Sequence, residues 1–284
     1  MRVIRSPRLL QRMADRLRRA GKTVGFVPTM GALHEGHRSL IRRARRETDC
    51  VVVSIFVNPL QFHQRSDYVR YPRPLARDAA LARSAGVDIL FIPGVRSLYP
   101  TDFQTTVDVT RLSQRWEGAC RPGHFRGVAT VVAKLFNVVH PDLVYVGEKD
   151  AQQARLIQQL ARDLNWGIRV RTMPTVREPD GLAMSSRNAR LSPSERRRAL
   201  VVVEALQAGR RLIECGERRR AVILRSMRGV MHRAPGTRLE YVAVVDPATL
   251  DPVDHVQGTA RLLIAAWVGR VRLIDTVLVK ARGS

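Results

Sequence analysis

Short apolar runs alternate with amphipathic stretches along the first 174 residues. Residues 24–27, 50–57, 89–92, 143–146 and 168–171 read as strands. The run at 50–57 is rich in β-branched residues and shows no polar alternation, the pattern of a strand buried on both faces. Residues 37–47, 75–84, 130–139 and 151–164 carry helical spacing between these strands. Ahead of them, Ser6-Pro7 opens a helix with a Leu10, Met13 and Leu17 stripe that Gly21 ends. Strand–helix alternation sustained over this length implies a doubly wound parallel sheet.

The pattern changes near Pro174. A loop over 176–188 contains Pro179, Asp180 and Gly181. Ser192-Pro-Ser-Glu195 then forms a capping box with proline at the first helical position, opening a long helix. A second helix covers about 219–232, a strand covers 239–245, and apolar segments follow at 261–267 and 272–279. The expected fold class is therefore α/β. A Rossmann-like doubly wound sheet occupies 1–174, and a second, smaller α/β domain occupies 175–284.

Composition narrows the classes. Of 284 residues, 45% are hydrophobic, an ordinary globular share rather than a disordered one. No apolar run approaches the roughly 20 residues that span a bilayer, so no membrane association is expected. The arginine-rich N-terminus does not read as a transit peptide, because its helix leads at once into a core strand. Cys50, Cys120 and Cys215 are widely spaced, with no C-x-x-C pair, and read as reduced thiols in a cytoplasmic protein. Net charge is +24 and lysine occurs only at 22, 134, 149 and 280, so the charge is nearly all arginine. Nucleic-acid binding is one reading. Arginines in helical patterns, without interleaved aromatics, fit solvated helix faces better. Specific nucleic-acid binding is not expected.

Four segments carry candidate chemistry. In the first, Pro28-Thr29-Met30-Gly31-Ala-Leu-His34-Glu-Gly-His37 follows a strand and enters a helix. Free N–H groups and the positive helix end there suit phosphate. The two imidazoles, three residues apart, fit hydrogen bonds to a polyphosphate better than a zinc pair, which has spacing four. In the second, Asn58-Pro-Leu-Gln61 ends the buried strand and presents two amides to a hydroxylated acid. In the third, Gly147-Glu148-Lys149-Asp150-Ala-Gln-Gln153 ends another strand. Lys149, in a chain that otherwise uses arginine, suits a phosphate oxygen that moves during reaction. Asp150 suits ribose hydroxyls, and Gln153 faces the crevice from the first helical turn. In the fourth, Met184-Ser185-Ser186-Arg187 places two hydroxyls and a guanidinium in sequence as an anion clamp.

These strings resemble a known family. P-T-M-G-A-L-H-E-G-H is similar to the "HIGH" signature of nucleotidyltransferases and, more narrowly, to pantothenate synthetases. The Asn58–Gln61 string, G-E-K-D-A-Q-Q and M-S-S-R resemble the same family, and the likeness runs end to end. It implies an ATP site of Pro28, Thr29, Met30, Gly31, His34, His37, Gly147, Glu148, Lys149, Asp150, Val176, Met184, Ser185, Ser186 and Arg187. It implies pantoate and β-alanine contacts at Asn58, Gln61 and Gln153. Tyr71 and Asp78, in a Y-P-R segment and downstream of it, and Arg121 and His124, in E-G-x-x-R-P-G-H-F-x-G-V, become supporting residues. Asp78 is the metal candidate, for Mg2+ with ATP. The resemblance also implies a homodimer and a C-terminal domain that closes over the active site. One stretch departs: residues 63–67 are more basic than the family's, and Pro74 stands where threonine is expected, in a segment read as a lid.

The implied reaction is ligation in two steps. Pantoate attacks the α-phosphate of Mg-ATP, and β-alanine then takes the acyl group from pantoyl-adenylate. His34, His37, Lys149 and Arg187 are the catalytic candidates. Two rivals remain open on the residues alone. Another HIGH-type nucleotidyltransferase would lack the Asn58, Gln61 and Gln153 amides. An RNA-binding synthetase-like module would need a stacking surface that is not seen.

Overall fold

A computed structural model describes residues 1–281. Its contacts divide the chain into two units. One is Met1–Gly147 with Gln152–Pro174, and the other is Glu148–Ala151 with Thr175 onward.

In the first unit the elements run in chain order. They are β1 (Arg2–Ile4), α1 (Pro7–Arg19), β2 (Val24–Thr29), α2 (Glu35–Glu47), β3 (Cys50–Ile55), α3 (Arg65–Val69), α4 (Leu75–Ser84) and β4 (Ile89–Phe91). There follow α5 (Val95–Leu98), α6 (Glu117–Cys120), α7 (His124–Val139), β5 (Leu143–Gly147), α8 (Ala151–Asp163) and β6 (Arg169–Met173). The six strands form one sheet in the order β1-β4-β3-β2-β5-β6, every pair parallel. Strand residues alternate between two cores. Phe26, Val52, Phe91 and Val144 pack with α1, α7 and α8 through Leu10, Phe136 and Leu156. Val27, Val53, Leu90 and Tyr145 pack with α2 and α4 through Ile41, Ala44 and Ala82. A sheet covered on both faces explains the unbroken apolar runs of its strands. Chain direction across the sheet reverses at β2, whose neighbours are β3 and β5. Such a reversal opens a crevice beyond the strand ends where ligands bind in folds of this kind.

The second unit contains α9 (Pro193–Glu214), α10 (Arg220–His232) and the antiparallel strands β7 (Thr237–Val245), β8 (Thr259–Val268) and β9 (Val271–Lys280) in that order. Ser192 caps α9 with the reciprocal Glu195 bond that the sequence announces. Leu206 and Met227 from the two helices pack on Val244, Leu262 and Ile264.

The structure changes several expectations. β1 was not expected; it is a three-residue edge strand that leaves little periodicity to read. The strand at 50–57 stops at Ile55, because the Asn58-Pro59 turn intervenes. The helix expected over 130–139 begins at His124. Gly127 reads as a breaker but is helical there, and a Cβ on it would lie 2.3 Å from the Leu60 carbonyl oxygen. The glycine is required by close approach, not by a turn. Residues 148–151 group with the second unit, although the sequence reading keeps them with the first.

Candidate functional site

The loop after β2 is shaped from beneath. Thr29 donates its hydroxyl to the Ser54 carbonyl at 2.6 Å and accepts from the Gly31 N–H at 3.1 Å. Gly31 turns with φ +84, and a Cβ there would meet Asp78 Oδ2 and Ile55 Cγ2, each at 3.0 Å. Ala32 follows at φ +51. Asp78, 1% exposed, holds this strained turn by accepting the Ala32 and Leu33 N–H groups at 2.8 and 2.7 Å. Each Asp78 oxygen receives one backbone donor, so this carboxylate, the metal candidate of the sequence, braces the loop.

The turn delivers His34 to the N-cap of α2 and His37 to its third position. Both are half-buried. His34 Nδ1 accepts the Gly36 N–H at 3.2 Å, and His37 Nδ1 accepts the His34 N–H at 3.3 Å. Two imidazoles thus form the reciprocal cap usually made by serine and glutamate. An acceptor nitrogen carries no proton, so the neutral tautomer of each ring has its proton on Nε2. The rings lie 4.2 Å apart between centroids, tilted by 52°. The result is a pair of Nε2–H donors at the positive end of a helix beyond a parallel strand.

A second cluster stands beyond β3. Asn58 caps the turn Pro59–Gln61. Its Nδ2 donates to Gln61 Oε1 and to the Gly127 carbonyl, both at 3.0 Å. Its Oδ1 accepts from Tyr99 OH at 2.9 Å and from the Leu60 N–H at 3.3 Å. All four hydrogen-bonding positions of this buried amide are used. Asn58, expected to touch substrate, in this structure fixes Gln61. Among the described residues, the Gln61 Nε2 donates only to Met30 Sδ, at 3.0 Å. A thioether is a weak acceptor that a carboxylate or hydroxyl readily replaces. His124 Nδ1 donates to the Gln61 carbonyl at 2.8 Å. Arg121 donates to that carbonyl at 3.4 Å and to His124 Nε2 at 3.2 Å. The two residues expected as supports therefore hold the backbone of Gln61.

On α8, Gln153 is half-buried and its amide has no hydrogen-bond partner among the described residues. Its neighbour Gln152 is 4% exposed and ties α6 in place. It accepts from the Glu117 N–H at 3.0 Å and donates to the Leu112 and Arg115 carbonyls. Gly147 ends β5, and a Cβ there would meet nothing within 4 Å, so packing does not demand this glycine.

Residues 63–74, read as a lid, form α3 and a turn that Arg73 secures. Its guanidinium donates to the Tyr68, Val69 and Tyr71 carbonyls and lies over the Tyr68 ring. Phe62 packs edge-on against Tyr68 and Tyr71.

In the second unit, Glu148 pairs with Arg261 at 2.8 Å, and Lys149 lies 3.8 Å from Asp150. Segment 176–188 is a hairpin in which the Met184 N–H donates to the Val176 carbonyl. Ser185 Oγ accepts the Arg187 N–H at 3.2 Å, which leaves its O–H proton to donate. Arg177 makes a two-pronged bond to Asp275 at 2.6 and 3.1 Å. Burial pushes that carboxyl's pKa up, against the pull of Arg177. The Arg177–Asp275 brace is not legible in sequence, because nothing local links residues 98 apart. Glu240, also not legible as a partner in sequence, accepts from Trp267 Nε1 at 3.1 Å and from Arg272 Nε at 2.7 Å, tying β7 to β8 and β9.

A parallel α/β fold with paired imidazoles and a buried amide beyond its strand ends is the arrangement of a nucleotide-binding protein. The sequence profile of the pantoate-beta-alanine ligases matches residues 2–278, and the chain belongs to that family. A pantothenate synthetase of Moorella thermoacetica is 52% identical over 263 residues, 93% of each chain. That of Thermotoga neapolitana is 49% identical over 278 residues, 98% of this chain and 99% of its own. Among solved structures, a Thermus thermophilus pantothenate synthetase superposes with a TM-score of 0.93 at 48% identity, covering 98% of this chain and 99% of its own. A Francisella tularensis pantoate-beta-alanine ligase, complexed with beta-gamma ATP and β-alanine, gives 0.81 at 35% identity, covering 98% and 97%.

Proposed function

We infer that this chain condenses pantoate with β-alanine to give pantothenate, at the expense of ATP. A pantoate carboxylate oxygen attacks the α-phosphorus of ATP, the bond to the β-phosphate oxygen breaks, and pyrophosphate leaves. The β-alanine amine then attacks the acyl carbon of pantoyl-adenylate. AMP leaves, and the nitrogen gives up a proton. Mg2+ enters as the counter-ion of ATP and so belongs to the substrate.

The observation that carries this reading is the reciprocal histidine cap. It fixes both rings by their Nδ1 atoms, so that Nε2 is the donor side of each and is oriented before charge develops on the departing pyrophosphate. Within the first unit, the loop of Pro28, Thr29, Met30 and Gly31 lines the ATP site. Gln61 and Gln153 take the carboxylate and hydroxyls of pantoate, with Asn58, Arg121 and His124 setting Gln61 and Tyr71 lining the pantoate side. Within the second unit, Lys149 and Arg187 are the candidate cations for ATP, Ser185 and Ser186 the candidate hydroxyl donors, Asp150 the candidate for the ribose, and Glu148, Val176 and Met184 further candidates for ATP contact. No helix among the described residues is long and apolar enough to cross a membrane. Cys50 is buried, and that burial pushes its thiol up to about 11. The proposed location is the cytoplasm, on the widely spaced, unpaired cysteines. A homodimer is the proposed assembly, on the strength of the family.

Exchange of labelled pyrophosphate into ATP tests the reaction. The expected result is exchange that requires pantoate and proceeds without β-alanine. Exchange without pantoate, or none with it, overturns the reading.

A further inference from the structure

A groove of about 440 Å³ runs between α9 and α10, lined by Arg197, Arg198, Arg211 and Arg233, with Glu204, Val201, Val230 and Ala234. Neighbouring arginines of these helices are neutralised: Arg196 by Glu178 and Asp180, Arg210 by Glu214, Arg220 by Asp254. The groove arginines have no such close partner, although Arg198 is near enough to Glu195 to help draw its pKa down. Among the described residues, no acid pairs with the Arg197, Arg198, Arg211 or Arg233 guanidinium, although Arg233 Nε reaches the Gly229 carbonyl at 3.3 Å. Arg198 is set inward, its Nη1 lying 2.8 Å from where a Cβ on Gly236 would stand. Its Nε is buried without a hydrogen-bond partner. A buried donor left unpaired is costly, and four guanidiniums facing one groove against a single glutamate repel one another. An anion with several acceptor oxygens removes both penalties.

We propose that this groove is a second anion site, which takes a compact oligophosphate. Its volume falls within the roughly 300–1,000 Å³ of small-ligand pockets. No aromatic ring lines it to stack a nucleobase, and it is one pocket on one helix pair rather than a track for a strand. The ligand is therefore recognised by clustered phosphate oxygens and not by a base or a nucleic-acid backbone.

The probe is inorganic tripolyphosphate, titrated calorimetrically into the full chain at about 150 mM salt, where weak surface attraction is screened. Arg197 and Arg211 are exposed, so Arg197→Ala with Arg211→Ala spares the core. Wild type is expected to show one tripolyphosphate site beyond the one that Lys149→Ala removes. The groove variant should weaken that extra site at least about tenfold, as expected for two lost charge-assisted contacts. Its pantoate-dependent exchange should be unchanged, which also reports folding. Arg12→Ala with Arg16→Ala on α1 lowers net charge equally and should leave the site intact. Equal weakening by both double variants, or no change in the groove variant, overturns the proposal. So does a groove that prefers a 20-nucleotide single-stranded RNA to tripolyphosphate.

Discussion

His34 and His37 each give Nδ1 to the backbone as an acceptor, so each ring's orientation is set by the cap. This arrangement predicts a graded series. His37→Ala should cost pantoate-dependent exchange at least about 100-fold, the scale of removing a donor to developing charge. His37→Gln can still place an N–H near the position of Nε2, and should lose less. Equal losses would mean that the imidazole acts only as a cap. Gly127 makes the converse point, since what matters there is an absence. Gly127→Ala would drive a methyl into the Leu60 carbonyl, and should cost about 1–3 kcal/mol on thermal unfolding, as overpacking does. It should also raise the KM for pantoate, because Gln61 is displaced. The histidine segment was legible in sequence because its residue types and spacing are local. The duty of Asp78 was not, since its partners lie some 45 residues away and a buried carboxylate reads the same whether it holds a metal or a turn.

Among elements, a relay passes from α5 to the Pro59–Gln61 turn. Tyr99 OH supports Asn58, and Asn58 supports Gln61. Tyr99→Phe removes one donor to a buried oxygen, which costs about 1 kcal/mol. It should appear as a several-fold rise in the KM for pantoate, with the KM for ATP unmoved. The hairpin over 176–188 carries a pH signature. Burial pushes Glu178 and Asp180 up, but Arg196, with Asn188 and the Leu182 N–H, outweighs it and holds both below the usual carboxylate range. A lowered folded pKa gives stability that is complete above the ordinary value and lost as pH falls through the folded one. Hydrogen-exchange protection of the hairpin should therefore be flat from about pH 8 to 5 and fall below about pH 4. Arg196→Ala should abolish that step. Periodicity revealed the strands and long helices at the sheet centre, where one pattern covers many residues. It missed β1, α3, α5 and α6, which are three to five residues long and are held by tertiary contacts.

At the scale of the molecule, 49 cationic side chains face 25 acidic ones. Much of the acid is used in exposed pairs such as Arg43–Glu47 and Arg219–Glu217. Isolated pairs of that kind add little each. The remaining positive charge repels itself, and this repulsion is long-ranged and open to screening. The melting temperature should therefore rise as NaCl goes from about 20 to 500 mM. A fall would show that the surface pairs outweigh the repulsion. The arginine count was plain in sequence, but the distinction between paired surface and unpaired groove required coordinates.

Strand order has a last consequence, for the time course of synthesis. β2 gains its first neighbour as soon as residue 55 is made, yet its other edge is covered only when β5 arrives at Leu143. The chain's first strand, β1, has no partner until β4 emerges at Ile89. A nascent chain thus carries an apolar, unpaired strand edge while roughly 90 further residues are added, several seconds at ordinary elongation rates. During that interval the edge that will border the nucleotide is a surface for mispairing between ribosomes, so yield of the folded chain should respond to slower synthesis or to chaperone supply before it responds to any change in the finished site.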